Sequence, residues 1–416
     1  MNRWLGFLLW LVLAGGTFST RAGTSLPQSV YVWQRVWSPP VVETVNAHAT
    51  NFAETVVLAA EVSWKNQMPS VTRVAVDYPT LAKLHTPIGL ALRLGPFHGD
   101  LAKNPLAVNV LAGVAASILT AARTNHVAPV ELQIDFDCAT ARLADYHVWL
   151  TELQHRLAPL PVTITALPAW LDSPAFAPLA AAASNYVLQV HSLEKPMSLD
   201  RPFTLCDPVA ARRAVARAGE LGVPFRVALP TYTYLVAFGT NGRFAGLSAE
   251  APKTDWPAGT QVRAMSADPL ALCAMMQNWA TNRPSALRGV IWYRLPVNVD
   301  NLNWRWATLG AIVQGRVPRE QFHAAARRVE PGLVEISLVN SGELDISSRL
   351  AVVVRWSGAR FVAGDGLAGF ELAESDDSAA RLNSPLSFRL PAGEKLVIGW
   401  LRFDENREVQ LEVSPF

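Results

Sequence analysis

From Val30 to Arg316 the sequence alternates short apolar runs with longer segments whose apolar residues recur every three or four positions. The short runs are typical of buried parallel strands, and the longer segments of amphipathic helices that connect one strand to the next. Eight strands are predicted in this way: Tyr31–Trp37, Val56–Trp64, Ile88–Phe97, Glu131–Cys138, Val162–Trp170, Tyr186–Leu193, Phe225–Tyr234 and Gly289–Pro296. Eight strand–helix units favour a closed (β/α)8 barrel of the TIM type over an open sheet.

Two segments fit the eightfold pattern poorly. The segment Val71–Tyr78 is apolar enough to form an additional strand, and the long insertion Asn241–Ser266 has no clear helical periodicity. We therefore expect the barrel to occupy residues 28–318 with local additions at these two places.

The periodicity changes after Arg316. Short runs of alternating apolar and polar residues follow, separated by Ser, Gly, Asp and Pro turns: Val334–Val339, Leu350–Trp356, Leu386–Leu390, Lys395–Leu401 and Val409–Val413. This pattern predicts an antiparallel β-sandwich over residues 330–416. No cluster of exposed aromatic residues stands out in it, so we expect it to cap the barrel; ligand binding by this domain is the alternative.

The N-terminus has the composition of a secretory signal. Asn2 and Arg3 precede the apolar run Trp4–Leu13, and small residues follow it. The run is shorter than the roughly 20 residues that span a bilayer. We predict a signal peptide over residues 1–23, a secreted or periplasmic protein and no stable membrane span after cleavage; an uncleaved anchor is the alternative.

Composition and motifs exclude several classes of function. The 36 basic and 34 acidic residues are well mixed, which gives no electrostatic footprint for nucleic acid. The sequence contains no zinc-protease motif, glycine-rich phosphate loop or nucleophile elbow, so we predict neither a metal nor a cofactor. The three cysteines, Cys138, Cys206 and Cys273, are widely spaced and are predicted to be buried without a metal or disulfide.

The fourth predicted strand, Glu131–Cys138, carries two carboxylates that share one face. Side chains alternate along a strand, so Asp135 and Asp137 lie together while Leu132 faces the helices. Barrel enzymes keep their sites at the C-terminal ends of the strands, where this pair falls. Carboxylates about 6.5 Å apart repel each other enough to raise one pKa, which suits a general acid and its partner. The alternative is a structural network in which Arg or Lys neutralises both.

Further polar and aromatic residues lie near the ends of other strands. We predict Glu61 as a third catalytic carboxyl beside Asp135 and Asp137. The predicted substrate-binding residues are Trp33, Arg35, Gln189, His191, Tyr232, Tyr234, Trp292 and Arg294. Aromatic rings stack on sugar faces and the polar groups bind hydroxyls, so this set favours a carbohydrate ligand. For any one of these residues an interior packing role is the alternative.

Four segments, Tyr31–Trp37, Gln133–Asp137, Thr163–Leu171 and Gly289–Pro296, resemble a bacterial family known as domain of unknown function 3142. More distantly, the fourth strand is similar to that of chitinase-type glycoside hydrolases, which carries D-x-x-D-x-D-x-E. Asp135 and Asp137 match the second and third acidic positions. Leu132 stands at the first, and Ala139 stands where that family has its catalytic Glu.

Two functional hypotheses follow from these residues. The first is an exported glycosidase-like enzyme in which Asp135, Asp137 and Glu61 supply the acid, base or nucleophile. The second is a non-catalytic envelope glycan-binding barrel that has lost the acid at the position of Ala139.

Overall fold

The computed structural model describes residues 26–66, 68–99, 105–183, 185–192, 196–200, 203–248, 255–376, 378–386 and 388–415. The predicted signal peptide, residues 1–23, lies outside this part of the chain.

Twelve strands precede the C-terminal region. They are β1 (Gln28–Val32), β2 (Thr55–Lys65), β3 (Met68–Arg73), β4 (Ile88–Leu94), β5 (Glu131–Phe136), β6 (Val162–Ala166), β7 (Tyr186–Gln189), β8 (Phe225–Pro230), β9 (Thr233–Phe238), β10 (Phe244–Ser248), β11 (Gln261–Ser266) and β12 (Leu287–Tyr293). Eight of them pair in parallel in the order β1–β2–β4–β5–β6–β7–β8–β12, and β12 pairs with β1. The ring is therefore closed, and the predicted (β/α)8 barrel is confirmed.

The helices are α1 (Pro39–His48), α2 (Tyr78–Leu81), α3 (Pro105–Thr124), α4 (Leu143–Leu157), α5 (Phe176–Ala183), α6 (Pro208–Glu220), α7 (Pro269–Thr281) and α8 (Trp306–Val313). Pro at the first helical turn and an Asp N-cap begin both α6 and α7, where Asp207 and Asp268 accept hydrogen bonds from backbone amides. Among the described residues one helix, α3, is long and apolar enough to cross a membrane. Its buried residues, including Leu111 and Ile118, belong to the core between helices and barrel.

The barrel has two apolar layers. The larger lies between strands and helices and contains Leu132, Ile134 and Phe136 of β5. The smaller lies inside the barrel and includes Tyr31 and Trp33. The two faces of β5 thus divide as its alternating sequence predicts.

Three local features differ from the predicted elements. The additional strand β3 begins at Met68, before the predicted Val71, because it forms a hairpin with the long β2 in which Lys65 pairs with Met68. The insertion after β8 forms an antiparallel sheet in the order β10–β9–β11. Strand β6 ends at Ala166, where Pro168 begins a short 3₁₀ turn.

The C-terminal strands are β13 (Phe322–Glu330), β14 (Leu333–Asn340), β15 (Leu350–Arg355), β16 (Phe361–Gly366), β17 (Glu371–Ser375), β18 (Ala379–Asn383), β19 (Lys395–Phe403) and β20 (Gln410–Pro415). They form two antiparallel sheets, β13–β14–β19–β16 and β17–β18–β15–β20, around a common core. The predicted sandwich is confirmed. The predicted strand Leu386–Leu390 is wrong: Leu390 makes an isolated bridge to Ile346. Prolines at 385 and 391 flank this segment and cannot donate to a strand ladder.

The sandwich contacts the barrel through α8 and the loop before it. Thr308 donates a hydrogen bond of 2.5 Å to the backbone oxygen of Glu343. Arg389 donates one of 3.0 Å to the backbone oxygen of Asn301, and Arg305 forms an ion pair with Glu394. The C-terminal domain therefore supports the loop that follows β12.

Candidate functional site

A cavity of about 230 Å³ opens at the C-terminal ends of the barrel strands. We call it the mouth cavity. Its lining combines aromatic rings with charged and amide side chains from seven barrel strands and the segments that follow them: Tyr31, Trp33, Arg93, Asp135, Asp137, Thr165, Val187, Gln189, His191, Ser192, Ala228, Tyr232, Tyr234, Tyr293 and Arg294.

Asp135 lies in the wall of the mouth cavity with two polar neighbours. The hydroxyl of Thr165 donates a hydrogen bond of 2.9 Å to its Oδ1. Arg93, directly opposite on β4, places Nε 3.8 Å from its Oδ2. Burial, followed by repulsion from Asp137, raises the pKa of Asp135 to about 6, although Arg93 and Thr165 oppose the shift.

Asp137 follows β5 and is exposed to solvent at the rim of the mouth cavity. It makes no hydrogen bond or ion pair with any residue in the described ranges. Desolvation by the surrounding wall raises its pKa, and Arg93 counteracts this. The structure therefore brings the two predicted carboxylates together and leaves Asp137 without a hydrogen bond or ion pair to any described residue.

Glu61 is placed differently. Arg35 donates two parallel hydrogen bonds to its carboxylate, from Nε at 2.7 Å and from Nη2 at 2.9 Å. Arg93 lies 3.8 Å away on its other side. Neither Glu61 nor Arg35 lines the mouth cavity. Because a bidentate guanidinium occupies both carboxylate oxygens, Glu61 stands as a structural partner of Arg35.

The aromatic wall is formed by Tyr31, Trp33 and Tyr293. The rings of Trp33 and Tyr293 are 5.4 Å apart, and each makes an edge contact with Tyr31. Trp292, predicted for this wall, lies in the core beneath the helices instead, where Nε1 donates to Gln28. It pairs in register with Val30 of β1, and cross-strand neighbours share a face, so Tyr293 takes the cavity-facing position.

Gln189, His191, Tyr232 and Tyr234 all line the mouth cavity. Nδ1 of His191 lies 3.2 Å from the hydroxyl of Tyr232. Burial lowers the pKa of His191 to about 3, so the ring is neutral. Together these residues form a polar wall.

Arg294 is 5% exposed and also lines the mouth cavity. It forms an ion pair with Asp300 in the loop that the C-terminal domain contacts. This partner holds the guanidinium in place and neutralises its charge.

A second polar cluster lies inside the barrel, near the N-terminal ends of the strands. Arg226 of β8 donates hydrogen bonds of 2.6 Å to Glu54 and to Glu131. Thr163 donates one of 2.6 Å to Glu131, and Gln133 donates another. We call these five residues the floor cluster. Gln133 in turn accepts a hydrogen bond of 2.6 Å from Tyr31, which links the floor cluster to the mouth cavity.

Several of these residues were not found from sequence. Arg93, Thr165 and Tyr293 line the mouth cavity, and Glu54, Glu131 and Arg226 form the floor cluster. Arg93 and Thr165 lie in the middle of the predicted strands Ile88–Phe97 and Val162–Trp170, whereas the strands end at Leu94 and Ala166, so the sequence did not place these two residues at the mouth. Thr163 and Arg226, which donate to Glu131, lie 32 and 95 residues away along the chain, and no local pattern indicates such pairings.

The three cysteines lie in the core and form no disulfide. Cys138, Cys206 and Cys273 are buried and free, as predicted. Within the described ranges, no group of three or more His, Cys, Asp or Glu side chains is arranged to hold a metal ion.

A closed parallel barrel with a polar and aromatic cavity at the C-terminal ends of its strands belongs to the class of (β/α)8 proteins whose sites lie at that face. Within this class, the chain belongs to the family described as domain of unknown function DUF3142, whose model matches residues 91–298. A second family, domain of unknown function DUF8456, matches residues 323–404 in the C-terminal sandwich. No curated protein matches the sequence.

Solved structures with a similar fold include two spore cortex-lytic enzymes named SleL. The one from Bacillus megaterium QM B1551 has a TM-score of 0.52 at 13% identity, over 72% of this chain and 75% of that one. The one from Bacillus cereus has a TM-score of 0.50 at 11% identity, over 70% and 74%. Chitinase ChiA74 from Bacillus thuringiensis has a TM-score of 0.48 at 10% identity, over 94% and 100%. At these identities the two SleL structures support the fold alone.

Proposed function

We propose that this protein is an exported, glycoside-hydrolase-like barrel that acts on a carbohydrate bound in the mouth cavity. The observation that carries the proposal is Asp137, a carboxylate that makes no hydrogen bond or ion pair with a described residue, in a cavity walled by aromatic rings. Its pKa is raised by desolvation and only partly offset by the charge of Arg93, and a carboxylate with a perturbed pKa in a concave site is a candidate for acid–base catalysis. Two proteins with a similar barrel fold are spore cortex-lytic enzymes, which is consistent with this class of activity.

The two carboxyls have different environments, as acid–base chemistry requires. Asp135, with a pKa of about 6, exchanges its proton near neutral pH. Asp137 is open to solvent and to ligand. We assign Asp137 to direct contact with the scissile bond, as acid or base, and Asp135 to the complementary proton. Trp33 and Tyr293 provide surfaces for sugar rings, and Gln189 and Arg294 provide hydrogen bonds to hydroxyls.

A second candidate function is glycan binding without cleavage. It is favoured by two observations: Ala139 occupies the position of the catalytic Glu of chitinase-type enzymes, and Arg35 holds Glu61 through both of its carboxylate oxygens. In this case Asp135 and Asp137 would accept hydrogen bonds from sugar hydroxyls without transferring protons.

The release of reducing ends distinguishes the two candidates. Purified protein is incubated with chitotetraose and with peptidoglycan glycan strands, and binding is measured on a glycan array. We expect Asp137→Asn to lower turnover by about 10²–10⁴-fold, the usual contribution of acid–base catalysis. Asp365→Asn, an exposed change in the C-terminal sandwich, is the matched control and should keep full activity.

Each outcome has a defined meaning. Full turnover by Asp137→Asn would contradict the assignment of Asp137. Binding without any reducing ends would establish the second candidate. Neither binding nor cleavage of any glycan on the array would overturn both.

Export is proposed from the N-terminal sequence. The predicted signal peptide over residues 1–23 places the barrel outside the cytoplasm, where glycan substrates occur. Mass spectrometry of the N-terminus of protein recovered from the periplasm or medium tests this. A mature chain that begins between Thr17 and Thr24 supports export, and a chain that starts at Met1 and stays in the cytoplasm contradicts it.

A further inference from the structure

A chain of hydrogen bonds runs along the polar wall of the mouth cavity. The Ser192 hydroxyl is bonded to the hydroxyl of Tyr234, which lies 3.3 Å from that of Tyr232. The Tyr232 hydroxyl lies 3.2 Å from Nδ1 of His191. All four residues line the cavity. These hydrogen bonds join the segment after β7 to the segment after β8, so they depend on the pairing of these two strands in the barrel.

The chain ends at an imidazole nitrogen that contacts the cavity. His191 is 4% exposed, and its ring stacks on Tyr293 at 5.8 Å and 25°. No hydrogen bond joins its Nε2 to another described residue. His191 lines the cavity and is almost wholly buried, and buried polar groups are normally hydrogen-bonded, so Nε2 is available to bond to a ligand.

The charges around the cavity favour an uncharged ligand. The ionisable groups in its lining that carry charge are Arg93, Arg294, Asp135 and Asp137. Arg294 is paired with Asp300, and Arg93 lies between Glu61 and Asp135. Neither cation is left to neutralise a ligand carboxylate, and His191 is itself neutral because burial lowers its pKa.

Each hydroxyl in the chain has one proton to donate, so the chain can run in only two directions. If Nδ1 of His191 donates to Tyr232, Nε2 is an acceptor; if Nδ1 accepts, Nε2 carries the proton and donates. A sugar hydroxyl can bond to Nε2 in either tautomer, because a hydroxyl both donates and accepts hydrogen bonds. The hydrogen bond between Tyr232 and His191 is kept in both tautomers.

Building on the carbohydrate function proposed above, we propose that the mouth cavity takes an uncharged sugar unit. His191 is then a specificity-determining residue that bonds to a ring hydroxyl through Nε2. Tyr232 is a positioning residue that holds the orientation of His191 through its hydrogen bond to Nδ1.

The substrate class is tested on an array with neutral oligosaccharides (chitotetraose, cellotetraose, mannotetraose) and uronates (tetragalacturonate, tetraguluronate). We expect the neutral sugars to bind at least tenfold more tightly than the uronates. Preferential binding of uronates would overturn this inference but leave the carbohydrate function intact. No binding to any sugar would overturn the carbohydrate function itself.

The roles of the two residues are tested by calorimetric titration of the best-binding neutral sugar from that array. His191→Phe keeps the ring and removes both nitrogens, and should weaken binding about tenfold, the usual effect of one hydrogen bond. Tyr232→Phe should weaken it less. The double variant should lose no more than His191→Phe alone, because Tyr232 acts through His191.

The matched control is Tyr186→Phe, which removes from the helix-facing side of β7 a buried hydroxyl that has no hydrogen-bond partner among the described residues. It should leave binding unchanged. Fully additive losses in the double variant would overturn the role of Tyr232, and unchanged binding by His191→Phe would overturn that of His191. If His191→Phe fails to fold, Tyr232→Phe alone decides: unchanged affinity in that variant overturns the inference.

Discussion

The floor cluster and the mouth cavity both take acidic side chains from one face of β5 and the residues that follow it. The two regions differ in how the charges of these side chains are balanced. At the floor, Glu131 accepts hydrogen bonds from Arg226 and Thr163, each of 2.6 Å. At the mouth, Asp137 accepts none from a described residue. The strand supplies acidic side chains in both places, and the neighbouring strands decide whether they become scaffold or remain open to a ligand.

The floor cluster is closed but carries two carboxylates for one guanidinium. Burial, followed by repulsion from Glu131, raises the pKa of Glu54 to about 8, whereas Arg226 and the hydrogen bonds of Glu131 lower the pKa of Glu131. Glu54 therefore holds a proton at neutral pH and Glu131 is ionised. The net charge of the buried group is thereby close to zero, as a buried ionic cluster requires.

The largest expected effect is that of Arg226→Met. It leaves Glu131 buried without a cation and should lower the free energy of unfolding by about 3–5 kcal/mol, as measured by urea denaturation. Arg93→Met at the mouth is the matched change, because Arg93 is 40% exposed and 3.8 Å from its partners. It should cost less than about 1 kcal/mol. Equal decreases in the free energy of unfolding for the two variants would contradict the difference proposed between the floor cluster and the mouth cavity.

The next effect is the pH dependence that Glu54 gives to stability. Its folded pKa of about 8 lies above the ordinary value of 4.5, so the folded state holds the proton more tightly. The stabilisation is complete below pH 4.5 and is lost as pH rises through about 8, with a limiting slope of about 1.4 kcal/mol per pH unit. Glu54→Gln should abolish this slope in urea titrations between pH 5 and pH 8. An unchanged slope would contradict the assignment.

A smaller effect is expected at the mouth from Arg93→Gln. Arg93 opposes the upward shift of the pKa of Asp135, so its removal should raise that pKa above the present value of about 6. Carbon-13 NMR titration of the carboxyl measures the change directly. Arg288→Gln, on the exposed part of β12, is the control and should not alter it. An unchanged pKa in Arg93→Gln would show that the arginine does not act on Asp135, and a lower pKa would contradict the direction of its effect.

The smallest effect is that of Asp137→Asn on folding. Asp137 is exposed and has no partner in the described part of the chain, so the unfolding free energy should change by less than about 0.5 kcal/mol. Glu131→Gln, on the same face of the strand, should cost at least about 1 kcal/mol because it weakens buried charged hydrogen bonds. A larger loss for Asp137→Asn than for Glu131→Gln would mean that the mouth, too, is scaffold.

The barrel could be predicted because the spacing of apolar residues within each strand and helix indicates its type. The prediction of which side chains face the cavity was weaker, because this spacing does not always distinguish the two faces of a strand. Strand β12 reads Leu-Arg-Gly-Val-Ile-Trp-Tyr, and apolar residues on both faces give no sign of which side meets the cavity. Trp292 was therefore assigned to the wrong face, and Tyr293 was missed. The predicted strand Leu386–Leu390 was wrong because its apolar alternation took no account of the flanking Pro385 and Pro391, and its described pairing is a single bridge from Leu390 to Ile346.

By itself, the sequence determined the closed arrangement of eight strand–helix units, the sandwich that follows them and the shared face of Asp135 and Asp137. These properties depend on residues a few positions apart. Only the tertiary structure decided that Arg35 holds Glu61, that Arg226 joins Glu54 to Glu131, and that Asp137 has no such partner. The reason is physical: ionisation and reactivity depend on charges within a few ångströms, and ring closure brings together charges from residues up to 172 positions apart.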